Sequence, residues 1–255
     1  MAAVISVFSF RGGVGRTTTV SAIGSFFSMR KAKVLMLDLC HNSTLTVSYI
    51  DKSATSYKDN LYDAVVNGAT LSVFSAREHL TVAACGVGAH MLDQHDRKKA
   101  QNGFSRLLTR LSSEYDIILI DCPANLTALT GTCISMSDRV MIPVTADGTA
   151  GFSLAMTMSF VMCHSKESVT DVFFTMHNPR EKISVVVEKA VRESYPDCVM
   201  DTRIRRNVSL CEAPGHFQSI FEYKPLSAGA EDYARLCDEF YHRLMGAEAA
   251  GVTIK

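Results

Sequence analysis

Two short stretches limit what this chain can become: Val34-Leu35-Met36-Leu37-Asp38 and Ile117-Ile118-Leu119-Ile120-Asp121. Each is an unbroken apolar run closed by one aspartate. A strand with one wet face alternates polar and apolar residues, so a run with no polar position is covered on both faces. Strands of that kind belong to parallel sheets flanked by helices. Val4–Phe8, Leu80–Ala83, Val140–Val144 and Val172–Thr175 add similar runs. Between them, Thr17–Met29, Arg97–Ser113 and Gly229–Leu244 read as helices; the second carries Phe104, Leu107, Leu108 and Leu111 on one face.

The expected fold is therefore α/β, a single domain with a mostly parallel sheet and helices on both faces. No linker, repeat or low-complexity tract divides it, and the domain is placed at residues 1–246 with a loose tail at 247–255. At 255 residues and 47% apolar, the chain can build one sizeable core. Lys+Arg and Asp+Glu balance at 26 each, which argues against a generally basic nucleic-acid coat. No apolar run reaches the roughly 18 residues of a membrane span. The N-terminus begins directly as a strand, so no signal peptide is expected. The eight cysteines form no C-x-x-C pair and read as buried thiols of a reducing cytosol, with no zinc site.

Between the first strand and the first helix lies Phe8-Ser9-Phe10-Arg11-Gly12-Gly13-Val14-Gly15-Arg16-Thr17-Thr18-Thr19. Glycines there let backbone N–H groups converge on phosphate oxygens, and the helix N-terminus adds positive potential. Thr17 is placed to offer its hydroxyl to Mg²⁺. The loop departs from G-x-x-x-x-G-K-[ST], because Phe10 stands for the first glycine and Arg16 for the lysine. Asp38 and Asp121, at the C-terminal ends of apolar strands, are where ligands bind in an open parallel sheet. A carboxylate there orders a magnesium shell or its water.

These features together resemble the ParA/MinD family of P-loop ATPases with a deviant Walker A loop, nearest to short ParA (Soj-type) partition proteins. The family loop K-G-G-x-G-K-T-[ST] aligns with Arg11 to Thr18. "YDIILIDCP", Tyr115 to Pro123, and "SDRVMIPV", Ser137 to Val144, match its strands. "TRIRRNVSLCEAP", from Thr202, resembles its T-x-I-P-R-N-x-x-L-x-E-A-P segment. The resemblance implies a homodimer with ATP (or ADP) and Mg²⁺ sandwiched between subunits. It implies binding by Gly12, Gly13, Val14, Gly15, Arg16, Thr17 and Thr18, with Mg²⁺ at Thr17, Asp38 and Asp121. It places Asn178, Arg205 and Asn207 near the base. It further implies non-specific DNA binding, a ParB-like or other activator protein, and a cytoplasmic, nucleoid-associated location.

Three positions depart from the family. Arg11 replaces the lysine that reaches the partner's nucleotide. Arg16 replaces the lysine on the β- and γ-phosphates. Cys40 replaces the aspartate that positions the attacking water, and a thiol is a poor acceptor. Nucleotide binding is expected to survive and hydrolysis to be weak. A catalytically degenerate scaffold for a partner complex, as in a relative associated with cellulose synthase, stays open. An iron–sulfur reductase using Cys85 and Cys133 is disfavoured by the lack of glycine-rich surroundings. Arg203, Arg205 and Arg206 suggest a DNA-facing patch together with Arg30, Lys31 and Lys33. The C-terminal segment is nearly neutral and Gly-broken, so it does not predict the membrane-binding helix of the MinD branch. With no helix-turn-helix segment read before Met1, a sequence-specific repressor function is not expected.

Overall fold

The computed structural model describes residues 2–50, 58–165 and 168–249. Strand β1 (Ala3–Val7) leads through the glycine loop into helix α1 (Arg16–Met29), and β2 (Val34–Asp38) follows. Helices α2 (Thr44–Val47) and α3 (Leu61–Val66) come next, then a hairpin of β3 (Phe74–Arg77) and β4 (Leu80–Ala84). Helices α4 (Gly86–Asp93) and α5 (Arg97–Leu111) precede β5 (Ile117–Asp121). The chain continues with α6 (Ala128–Ser135), β6 (Arg139–Thr145), α7 (Ala150–His164), β7 (Val169–His177), α8 (Lys182–Ser194) and β8 (Val199–Arg205). Short helices α9 (Ser209–Glu212) and α10 (Ile220–Tyr223) lead to α11 (Ala228–Ala249).

The strands form one sheet in the order β3-β4-β2-β5-β1-β6-β7-β8. Only the β3–β4 pairing is antiparallel. The apolar runs divide their side chains by strict alternation. Leu35 and Leu37 of β2, with Ile118 and Ile120 of β5, join one core; Val34 and Met36, with Ile117 and Leu119, join the other. Helices α3, α5, α6 and α7 cover the first face, while α1 and α11 cover the second. This two-sided burial is the reason no polar residue interrupts those runs.

The expected helix begins at Arg97 and ends at Leu111, short of the expected Ser113; its N-cap is Asp96, whose side chain accepts from the Lys99 amide at 2.8 Å. The final helix runs through Gly246 to Ala249, beyond the expected Leu244; positions 250–255 of the expected tail lie outside the described residues. Two edge strands, β3 and β8, were not foreseen. Arg203 and Arg205 therefore stand on β8, Arg205 as its last residue. The patch joining them and Arg206 to Arg30, Lys31 and Lys33 does not form. Lys31 and Lys33 precede β2, at the N-terminal edge of the sheet, whereas Arg206 follows the parallel β8 at the opposite edge. Arg30 is moreover paired to Asp238 at 3.2 Å and lies over the Phe26 ring.

Candidate functional site

The loop between β1 and α1 depends on left-handed backbone at two glycines, Gly13 (φ 74°) and Gly15 (φ 90°). A side chain there would be strained by conformation. At Gly13 it would meet nothing within 4 Å, so the glycine leaves open space above the loop. Gly15 is also the N-cap of α1, with no side-chain cap and no acid in the first turn. The first amides of α1 are thus left for a ligand, the arrangement that binds anions. Behind the loop, Thr175 donates to the Val14 carbonyl at 2.8 Å. Thr19 donates to the Gly15 carbonyl at 2.8 Å and stands 3.0 Å from the buried Tyr233 hydroxyl.

A cleft of about 490 Å³ opens over this loop. Gly13, Gly15, Arg16, Thr17 and Thr18 form one wall, and Cys40, His41, Pro123 and Met176 stand on others. Met176 holds φ 51°, a conformation costly for an unbranched apolar residue, at the cleft margin.

At the cleft floor, β2 and β5 place Asp38 directly opposite Asp121. Both residues are fully buried. The Thr17 hydroxyl donates to Asp121 Oδ2 at 2.7 Å. Asp121 Oδ1 is buried with no hydrogen-bond partner among the described residues. Burial, and then the charge of Asp38, push the Asp121 carboxyl up to about 7. Asp38 is better supplied: Oδ2 accepts from the Thr46 amide (2.8 Å) and hydroxyl (2.7 Å), and Oδ1 from the Cys40 amide (3.2 Å). Burial still raises its pKa. An orphaned carboxylate oxygen beside a second buried acid is the environment a divalent cation relieves, so Thr17, Asp38 and Asp121 fit one.

The departing residues take definite positions. Arg16 folds back on the loop, donating from Nη1 to the Ser9 (2.6 Å) and Arg11 (2.7 Å) carbonyls. Its Nε is buried without a partner among the described residues. Arg11 is held within its own chain: Nη1 donates to Asp147 Oδ2 (2.6 Å), Thr145 (3.0 Å) and Thr149 (2.7 Å). Partial burial works against ionisation of Asp147, but the Arg11 hydrogen bond and its threonine neighbours outweigh this and hold the carboxyl well below its usual range. Cys40 is 8% exposed. Burial, then the charges of Asp121 and Asp38, raise its thiol far above the ordinary value.

The residues expected near a base are engaged by neighbours within the chain. Asn178 donates to Glu181 Oε1 at 2.8 Å and accepts from the Arg180 amide, closing a turn after β7. Asn207 Oδ1 accepts from the Ser209 amide at 2.9 Å. Neither lines the cleft. Arg205 is clamped by Asp232 (2.6 Å) and Glu231 (2.9 Å). Arg203 donates from Nε to Glu188 at 2.6 Å. Arg206 is exposed. Sequence reasoning missed Thr46, Asp147 and Tyr233, which brace the site from distant segments and share no local spacing with the loop.

The glycine loop, the paired aspartates and the parallel order around them define a P-loop nucleotide-binding fold. The sequence matches the family described as "AAA domain" over residues 2–171. It is 31% identical over 252 residues to the sporulation initiation inhibitor protein Soj of Bacillus subtilis (strain 168), covering 94% of this chain and 98% of that protein. Its fold superposes on a putative plasmid partition protein of Borrelia burgdorferi B31 bound to AMPPNP (TM-score 0.80, 18% identity, 95% of this chain and 100% of that one). It also superposes on cobyrinic acid a,c-diamide synthase of Mycobacterium smegmatis with bound ADP and magnesium (TM-score 0.78, 20% identity, 97% of each chain). This chain belongs to the ParA/Soj/MinD family of P-loop ATPases. Among the described residues, no helix is long and apolar enough to cross a membrane.

Proposed function

We propose that this protein is a nucleotide-switched homodimer of the partition or intracellular-positioning type, which binds ATP in the loop cleft and hydrolyses it weakly. The observation that carries the binding reading is the unpartnered Asp121 Oδ1 beside the Thr17 hydroxyl, below a helix N-terminus with free amides. Loop amides of Gly12 to Thr18 bind the phosphates. Thr17, Asp121 and Asp38 hold the shell of the divalent cation that accompanies the nucleotide, partly through water. That cation, when bound, would offset phosphate charge.

Weak hydrolysis follows from two side chains. Cys40 offers sulfur where the family has a carboxylate, and its Sγ lies 3.7 Å from the Asp121 carbonyl, so no carboxylate at this position orients a water. Arg16 is committed to loop carbonyls and must leave them to meet phosphate. Positioning supplies most of the rate in phosphoryl transfer. Arg11 would serve the partner's nucleotide only after leaving Asp147. Contact with DNA would rest on Arg206 more than on Arg203 and Arg205, whose charges are matched within the chain. A ParB-like or other activator would act on the dimer.

A second reading, a nucleotide-held scaffold without turnover, is favoured by the same buried thiol. Calorimetry of ATP with Mg²⁺, followed by phosphate release on the same sample, separates the two. Binding with slow release supports the switch, and binding without release supports the scaffold. No binding overturns both.

A further inference from the structure

Below the glycine loop the fold brings together two carboxylates and a thiol. Asp38 and Asp121 are register partners across β2 and β5, and Cys40 follows two residues after Asp38. An oxygen from each acid and the Cys40 Sγ all lie within 4.8 Å of one another. Bonds of about 2.0–2.3 Å to a shared ion need only a small inward shift of these atoms. A separate observation points to a ligand here: Asp121 is fully buried, and its Oδ1 has no partner among the described residues. Asp38 keeps unused lone-pair capacity at Oδ1, which accepts only the 3.2 Å bond from the Cys40 amide. Cys40 lines the cleft and is the member of the set that opens toward it.

The identity of the third donor decides which ion suits the set. Mg²⁺ takes hard oxygen ligands in near-octahedral order and gains little from sulfur. A thiolate selects softer ions, and a mixed sulfur and carboxylate set suits Zn²⁺ or Co²⁺. We propose that Asp38, Cys40 and Asp121 together bind a thiophilic divalent cation of the Zn²⁺ or Co²⁺ class in preference to Mg²⁺, with the remaining coordination open to water or a phosphate oxygen. The inference rests on the reading of the cleft as a cation-assisted nucleotide site and assigns that cation a chemical class. On binding, the Cys40 proton passes to solvent and the sulfur coordinates as thiolate. Cysteine spacing predicts no zinc site because a single cysteine takes part. The other two donors are supplied by strand register, which spacing does not encode.

Co²⁺ is the probe, added to the full chain carrying Cys163→Ser and Cys211→Ser, which remove the two exposed thiols. The expected result is a near-ultraviolet thiolate-to-cobalt absorption that saturates at a single ion per chain and persists in large Mg²⁺ excess. Cys40→Ser in that background should abolish the band and weaken Co²⁺ binding by roughly 10- to 100-fold or more. Cys40→Asp, a second route should serine disturb folding, should bind Co²⁺ without the band and yield it to Mg²⁺. Co²⁺ binding with no thiolate band, unchanged in Cys40→Ser, overturns the proposal. Mg²⁺-ATP binding measured alongside keeps the two readings apart. Retained ATP binding with no thiolate band removes only the soft-ion assignment. A thiolate band without ATP binding upholds that assignment and removes the nucleotide reading.

Discussion

The floor of the glycine-loop cleft and the outer edge at β7 and β8 are both rich in charge, yet they handle it in opposite ways. At the edge, Glu188 accepts from Arg203 and Arg192 and stands 2.9 Å from His177, while Asp232 clamps Arg205. Each carboxylate there has a cation of its own chain. At the cleft, Asp38 faces Asp121, one carboxylate oxygen has no partner among the described residues, and the Arg16 guanidinium is turned onto backbone carbonyls. A buried polar atom left unpaired costs stability unless something outside the chain completes it. The edge is finished by folding, whereas the cleft leaves a carboxylate oxygen for the proposed ligand to complete.

The largest effect expected from this contrast is catalytic. Cys40→Asp supplies the missing acceptor and should raise phosphate release by roughly 100-fold, on the scale of a positioned acid or base. The same change puts a third acid beside two buried ones, so the ligand-free melting temperature should fall. An unchanged rate would assign the limit to Arg16. Asp121→Asn should cut Mg²⁺-ATP affinity by at least about 10- to 100-fold in calorimetry, while the ligand-free protein melts no lower than the parent. A large loss of stability would mean that the acid is structural after all.

At the edge the signs reverse. Glu188→Ala should cost about 2 kcal/mol in denaturant unfolding and leave ATP affinity unchanged. That is below the roughly 3–5 kcal/mol of a fully buried pair, because Arg203 is open to solvent. The pH dependence divides in the same way. Asp121 is raised to about 7 when folded, so its contribution is present below the ordinary aspartate range and is lost as pH rises through 7. Glu188 is pushed up by burial but held down, at about 2, by Arg203 and Arg192; its contribution is present above the ordinary glutamate range and lost as pH falls toward 2. Melting curves across pH should show the first slope vanish in Asp121→Asn and the second in Glu188→Ala. The smallest effect expected is that of Tyr233→Phe, about 1 kcal/mol for the hydrogen bond to Thr19.

The same contrast governs what could be read from the sequence. Strands β2 and β5 declare themselves because burial on both faces removes every polar residue, and their closing aspartates mark the site. Strand β8 hides, since Asp201, Arg203 and Arg205 are exposed while Met200 and Ile204 are buried. Its arginines look like free charge until Glu188 and Asp232 are seen beside them. The glycine loop is legible because left-handed backbone demands glycine at Gly13 and Gly15. Thr46 and Asp147 are not, since a hydrogen bond to Asp38 or Arg11 leaves no trace in local periodicity. The cation set is half legible: both acids stand at strand ends, but their facing register exists only in the sheet.

The Thr19–Tyr233 contact joins positions 214 residues apart in the chain. A chain made from its N-terminus exposes the glycine loop early, long before its brace has been synthesised. The loop gains this brace only when α11 docks, so its last hydrogen-bonded support waits until nearly the whole polypeptide has been made. Release of a chain cut short before Tyr233 would yield a protein with every loop residue present and this one support missing.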